Sequence, residues 1–516
     1  MGGGSSTPDA PAASATVVPA FAAKVTACAT GDAPETGLQG QVPAALRASG
    51  FKGFNCNLSL VGQLQGEGGN WSTATFSDKA GRRCAYYSTA APFSRTGVPT
   101  GRLIPGVPVI DITDPTKPVR ITSLTSPAML DPWESLRVHA GRQLLMADNG
   151  QNGGGGPEVD VYDLSGDCGS PQLMASAALS YNTGDPTAPT KPIIGHEGNV
   201  SPDGLTYYVG DLRQGKYHAV DITNPTRPKL IATYDIQALS PIGKVPHGLS
   251  ISTDGNRAYV AAIGGLPSVS ISDLTNPNFA NNGFIVLDTS EIQARKPNAQ
   301  FRAISSVAFK DGTVAQHTIE AKIGGKPYMV MVDEGGSAGL ADPTNAKVAC
   351  AAGMSPFPMA RIYDMSDETA PKVVSKFGLE THDPKNCDAV LQDITGLSTF
   401  TYGSHYCSVD SRENATAMAC SYFNSGVRVF DIRNPATPKE IAYFNPKSSP
   451  TAVLGSNHSL RNQWKPGSPD WCASRLDFDK ARGQLTTMCQ DNGLLVMKFT
   501  NGTWPFAETV TSTTQN

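Results

Sequence analysis

The chain has 516 residues, 17% of them charged, and a formal net charge of −4 with no run of Lys or Arg, which argues against a nucleic-acid or anionic-membrane surface as its main partner. Its 52 Gly and 39 Pro describe many short strands and turns and exclude a helical bundle. No stretch of 18 apolar residues is available to span a bilayer.

Residues 1–24 read as a tether. MGGGSSTPDAPAASATVVPAFAA has no charged segment followed by an apolar one, so it is not a signal peptide as it stands. A Gly/Ser tract running into Ala, Pro and Ser is usual just after the lipidated cysteine of a bacterial lipoprotein. The expectation is divided between a lipid anchor, with Met1 standing where that cysteine was, and a cloning scar on a secreted protein. Residues 25–56 read as an N-terminal extension. Ten cysteines with no CxxC pair (Cys28, Cys56, Cys84, Cys168, Cys350, Cys387, Cys407, Cys420, Cys472 and Cys489) fit an oxidising compartment and disulfides, with one or two free thiols as the alternative. The address is expected to be extracytoplasmic: periplasmic, secreted or an outer-membrane lipoprotein.

One phrase then recurs along the chain: PVIDITDPTKPVRI (108–121), VDVYDLSGDCGSPQL (159–173), HAVDITNPTRPKLI (218–231), VSISDLTNPN (269–278), ARIYDMSDETAPKVV (360–374) and VRVFDIRNPATPKEI (427–441). Each is an apolar strand ending in Asp, a polar turn and another strand. The Asp or Asn side chain caps the turn while Pro fixes φ. A hairpin such as HGLSISTDGNRAYVAA (247–262) precedes each phrase, so a unit has four strands. Repetition at roughly 50 to 80 residues predicts an all-β, seven-bladed β-propeller with four-stranded blades. The seventh unit, 471–499, lacks a fourth strand, and NLSLVGQL (57–64) has the form of one. The ring is therefore predicted to close by an N-terminal strand, with residues 57–499 as one domain and 500–516 as a tail.

These phrases resemble the LVIVD-repeat propellers, secreted or lipid-anchored bacterial proteins whose blades carry a [VI]-x-[VIF]-D-[IL]-x-[ND]-P phrase. The resemblance implies the fold and an extracytoplasmic address, and no single activity.

The repeat supplies a frame for comparing blades. His196 precedes Asp221 by 25 residues, while His247 precedes Asp273 and His405 precedes Asp431 by 26. His317 opens the same hairpin in the fifth blade, where an insertion containing Cys350 intervenes. Trp71, Glu134 and Cys472 hold the position in the other three. Starts of inner strands face one mouth of the channel, so these residues are expected to converge. His196, His247, His317 and His405 are the candidate ligands of one transition metal, copper preferred over iron. The arrangement is similar in architecture to four-histidine propeller metalloenzymes such as the carotenoid-cleaving oxygenases. A ring of structural histidines copied from blade to blade is the competing reading.

Glu134 is read as a further ligand, an acceptor for an imidazole N–H, or a general base. Cys472 is read as a thiolate ligand or as the partner of Cys489, and Cys407 with Cys420 as a disulfide. His382 and His458, on long loops expected to fold over the mouth, are candidate catalytic residues with Glu134, adding ligands or substrate contacts, with solvated loop histidines as the alternative. His139 and His218 look structural. Trp71, Trp133, Trp464 and Trp471 are expected to wall a pocket or to pack between blades. The expected function is an extracytoplasmic metal-dependent oxidoreductase, an oxidase or oxygenase acting on a small, aromatic or sulfur-containing molecule, with an envelope redox partner. The alternative is a non-enzymatic binding or scaffold lipoprotein of the envelope.

Overall fold

The computed structural model describes residues 24–25, 27–90, 101–150, 155–264, 282–337, 343–395, 400–461 and 468–507. These residues form seven antiparallel blades around a channel, each of four strands apart from one that gains a fifth. The inner strands, in order, are Thr73–Ser77, Arg137–His139, Glu197–Val200, Val245–Ile251, Thr313–Ile323, Tyr402–Val409 and Asp477–Asp479.

The blades form because the repeated Asp performs one local task in each phrase. Its Oδ1 accepts the backbone N–H two residues on, at Asp111, Asp163, Asp221, Asp288, Asp364 and Asp431, over 2.8–3.0 Å. This Asx turn ends the third strand and starts the fourth. Blade four departs from the sequence frame. Its third strand is Asn282–Asp288, so its turn is made by Asp288, and the phrase at 269–278 lies outside the described residues. The count from His247 to Asp273 therefore does not reach the turn of this blade.

The ring closes as the sequence predicts. Leu58–Leu64 runs antiparallel to Gly493–Phe499 as the outer strand of blade seven. Immediately before it, Phe54–Cys56 adds a fifth strand to blade six by pairing with Lys439–Asn445. Asn57, with φ 56°, makes the step between the two. Consecutive stretches of one segment thus belong to neighbouring blades. The extension ahead of them is held by the fully buried Arg428, which pairs with Glu35 and Glu440.

Between blades the apolar faces interdigitate, as where Ile362 and Phe377 of blade five meet Met418 and Phe430 of blade six. Five disulfides join all ten cysteines: Cys28–Cys56, Cys84–Cys168, Cys350–Cys387, Cys407–Cys420 and Cys472–Cys489. That usage places the protein outside the cytoplasm. No helix among the described residues is long and apolar enough to cross a membrane.

Gly62 is where the closing strand touches the first blade. A Cβ there would lie 2.0 Å from the carbonyl oxygen of Pro115 in the turn of blade one. Gly62→Ala is expected to lower stability by about 1–3 kcal/mol through overpacking, read as a lower denaturation midpoint. An unchanged midpoint would show that the closing strand does not bear on blade one.

A candidate metal centre at the hub

Strand pairing fixes which residue of each blade stands at the mouth of the channel. Counted from the pairing with the second strand, the seven equivalent residues are Trp71, Glu134, His196, His247, Gln316, His405 and Ser474. Five match the sequence frame. In blade five a bulge between Ala315 and His317 leaves Gln316 at the ring position and sets His317 one residue farther down the channel. There His317 stacks on Tyr406, with centroids 4.5 Å apart, and its Nε2 accepts the Cys407 N–H at 3.5 Å. Burial drives its pKa well below the usual value, with His405 adding to the effect. His317 does not join the cluster. In blade seven Cys472 lies two residues before Ser474 and is bonded to Cys489, so it offers no thiolate.

The other predicted residues meet. His196 Nε2 is 3.1 Å from His247 Nε2, and Glu134 Oε2 lies 3.4 and 3.5 Å from them. His405 Nε2 is 3.2 Å from Glu134 Oε1. A fifth group, Glu334, was missed by sequence reasoning. Its Oε1 is 3.5 Å from His247 Nε2 and its Oε2 is 3.1 Å from His405 Nε2. Glu334 comes from the hub end of the second strand of blade five, Lys326–Gly335, at the place that Ile263 and Phe423 hold in blades four and six. The available signal was the acidic pair Asp333–Glu334 closing the apolar run YMVMV, and the frame compared inner strands only. Behind Glu334, buried Asp333 pairs with buried Arg361 and fixes that strand end.

All five side chains are buried or nearly so, Glu334 being 12% exposed. Donors about 2.1 Å from one metal ion are separated by about 3.0 Å at a right angle and about 3.4 Å at the tetrahedral angle. The distances above fall in or beside that interval. Glu134 Oε2 and His405 Nε2 make no well-aligned hydrogen bond despite full burial, which in a protein interior calls for another partner.

The other ring nitrogens of His405 and His247 are tied from behind, whereas His196 Nδ1 is buried without a hydrogen bond. His405 Nδ1 donates to the Ala473 carbonyl, which fixes the tautomer and turns the Nε2 lone pair inward. His247 Nδ1 donates to Glu197 Oε2 at 3.2 Å. A ligating histidine held through its other nitrogen by a carboxylate or carbonyl is the usual arrangement around protein-bound metals. Glu197 has room because the next residue after His247 is glycine: a Cβ on Gly248 would lie 2.0 Å from its Oε2. Its Oε1 is paired with Arg475 at 2.7 Å and Arg137 at 3.4 Å.

Charge is concentrated at this point. Burial opposes ionisation of Glu134 and Glu334, but the facing imidazoles hold both carboxyls low, Glu334 to about 2. Burial likewise opposes charging of His247 and His405, and the carboxylates overcome it, raising His247 well above its usual value and His405 to about 9. His196 is lowered by burial and by its neighbour His247. The cluster attracts positive charge, which protons or a metal cation can supply at the same lone pairs.

Above the hub, Trp71, Trp133, Phe400, Phe423 and Trp471 pack together as a lid. Trp71 lies against His405 and Trp133 against His196, at 5.0 and 6.1 Å between centroids. Trp133, Phe400 and Phe423 have φ of 50°, 50° and 43°. Bulky residues in that region each cost of order 1–3 kcal/mol and persist where the surroundings impose them. Below the hub the channel holds a cavity of about 260 Å³ lined by Arg137, Arg412, Arg475, Asp477, Asn199 and hydroxyl side chains.

Neither loop histidine reaches the hub. His382, fully buried, accepts the Leu379 N–H at Nδ1 and stacks on Tyr422; burial lowers its pKa to about 3. His458 lies 3.4 and 3.3 Å from Asp470 and Asp491 and packs on Trp471 beneath the lid. His139 accepts the Arg142 N–H and bonds the Pro202 carbonyl of the next blade, and His218 pairs with Thr233 in its own blade. Trp464 lies outside the described residues.

Residues 203–236 and 247–283 match the family model of the LVIVD repeat, so the chain carries that repeat on the seven-bladed ring. No curated protein matches the chain. Among solved structures it is similar to a putative 6-phosphogluconolactonase from Bacteroides uniformis ATCC 8492, at 12% identity over 82% of this chain and 93% of that one, with a TM-score of 0.49. It is also similar to a Lactobacillus plantarum protein, at 11% identity over 80% and 99%, TM-score 0.46. The periplasmic gluconolactonase PpgL of Pseudomonas aeruginosa gives 12% identity over 75% and 95%, TM-score 0.43. Likenesses of this degree say nothing of activity.

Glu197→Gln leaves Arg137 and Arg475 buried without their carboxylate and is expected to cost about 3 kcal/mol, measured by chemical denaturation. A loss below about 0.5 kcal/mol would show that Glu197 is not the counter-charge of the two arginines.

Proposed function

We propose that the protein is an extracytoplasmic metalloenzyme of the oxidoreductase type, in which His196, His247, His405, Glu134 and Glu334 hold a redox-active transition metal. The observation that carries the reading is the convergence of three imidazole nitrogens and two carboxylates, at the spacing of a coordination shell, with two imidazoles tied from behind. Four imidazoles would favour copper. Three imidazoles with two carboxylates and no sulfur favour iron or manganese, and iron is the proposed metal.

Such an ion supplies one-electron exchange and open positions for small ligands. The chain's own residues do the rest. Glu197 and the Ala473 carbonyl orient the ligating rings, and the aromatic lid keeps bulk water off the centre. The cavity below is slightly under the usual size of a ligand pocket, which suits a small molecule and excludes a polymer. A lid that packs on the ligands also leaves the cavity side as the approach, where Arg137 and Arg475 stand. Disulfides agree with a periplasmic, secreted or lipid-anchored setting, in which an envelope redox partner would exchange the electrons.

Protein produced with added iron is expected to carry stoichiometric transition metal by elemental analysis. His247→Ala should lower that content at least tenfold and His317→Ala should leave it unchanged. Glu197→Gln should weaken binding by about 10–100-fold. Trace, non-stoichiometric metal in the parent protein would overturn the reading in favour of an envelope scaffold, and loss of metal on His317→Ala would overturn the ligand set.

A further inference from the structure

The five donors do not surround a single point evenly. They fall into two triads, Glu134–His196–His247 and Glu134–Glu334–His405, with the donor atoms of each within 4.8 Å of one another. The triads share Glu134 and divide its oxygens. Oε2 faces His196 and His247, while Oε1 faces His405. Glu334 is divided in the same way, Oε1 toward His247 and Oε2 toward His405. A carboxylate that chelates one ion turns both oxygens to the same partners. Two carboxylates whose oxygens each face a different imidazole set have the geometry of bridges, and ions joined in this way sit about 3.5–4 Å apart.

We infer that the hub is a two-metal centre bridged by Glu134 and Glu334, which rests on the metal-centre reading above and goes beyond it in nuclearity. One ion takes His196 and His247 with Glu134 Oε2 and Glu334 Oε1. The other takes His405 with Glu134 Oε1 and Glu334 Oε2. Glu134 Oε2 lies 3.4 and 3.5 Å from His196 and His247, Glu334 Oε1 lies 3.5 Å from His247, and the second set is separated by 3.1–3.2 Å, spacings that suit neighbouring donors of a shared ion.

The two ions are not equivalent. The first has four protein donors; the second has three and keeps more positions for exogenous ligands. Two divalent ions against two carboxylates leave a net positive centre, so the ligand it accepts is an oxygen anion, either hydroxide or the oxygen of a small anionic substrate. Bridge geometry also gives blade five its role. With its ring position taken by Gln316, the blade contributes a carboxylate from the hub end of its second strand rather than a fourth imidazole.

The test uses the whole chain, stripped with a chelator and titrated with Mn(II) by equilibrium dialysis and electron paramagnetic resonance. Two Mn(II) per chain are expected, with the six-line signal of isolated ions replaced by the broad spectrum of a coupled pair. His405→Ala should bind one Mn(II) with an isolated six-line signal, and His405→Gln serves if the alanine variant does not fold. Saturation at one Mn(II) in the parent protein would overturn the two-metal inference and leave the metal-centre reading standing, as would two ions with uncoupled spins. No binding at all would overturn both.

Discussion

Everything at the hub depends on the hydrogen-bond register of seven inner hairpins. A strand presents alternate residues to opposite faces, so the pairing of each inner strand with its neighbour decides which side chain looks down the axis and which one packs between blades. Six blades share the Asx turn that pins the far end of the second hairpin, and the pairing transmits that anchor to the mouth. In blades four and six the register shift holds His247 and His405 themselves; in blade five it holds Gln316, and His317 is already paired with Val332.

Around that frame the electrostatics are arranged to concentrate rather than cancel charge. Glu134 and Glu334 face three imidazoles in a water-poor site, and Glu197 behind them is countered by Arg137 and Arg475. Gly248 makes this possible by leaving the carboxylate space against His247. Above, three lid aromatics are held in left-handed backbone conformations. Strain of this kind is concentrated at functional sites elsewhere in proteins, and here it lies within one layer of the candidate ligands. The lid and the carboxylates are departures from blade regularity gathered at the same end of the channel.

Much of this was legible in the sequence because repetition converts spacing into geometry. The phrase VRVFDIRNP names its own turn, and NLSLVGQL could be matched to a missing strand because the seventh unit stops short. His196, His247, His405 and Glu134 were visible as equivalents. His317 was misplaced by one residue because the insertion in blade five removes the count that placed the other histidines, and Asp273 because a second Asp-bearing phrase falls just before the strand that pairs. Glu334 was hidden for a different reason. It reaches the hub from the end of a second strand, and a comparison of inner-strand starts could not register it. His382 and His458 sit on loops, where sequence supplies no repeat to place them, and each is absorbed into local hydrogen bonding and ring packing.

The central claim is that imidazole and carboxylate groups of the hub, and no sulfur, bind a metal. X-ray absorption at the K-edge of iron in the reconstituted protein tests it most directly. The account predicts a nitrogen and oxygen shell near 2.1 Å with the outer scattering of about three imidazoles for the centre as a whole and no sulfur scatterer. A shell of water oxygens without imidazole scattering, or one containing sulfur, would contradict it.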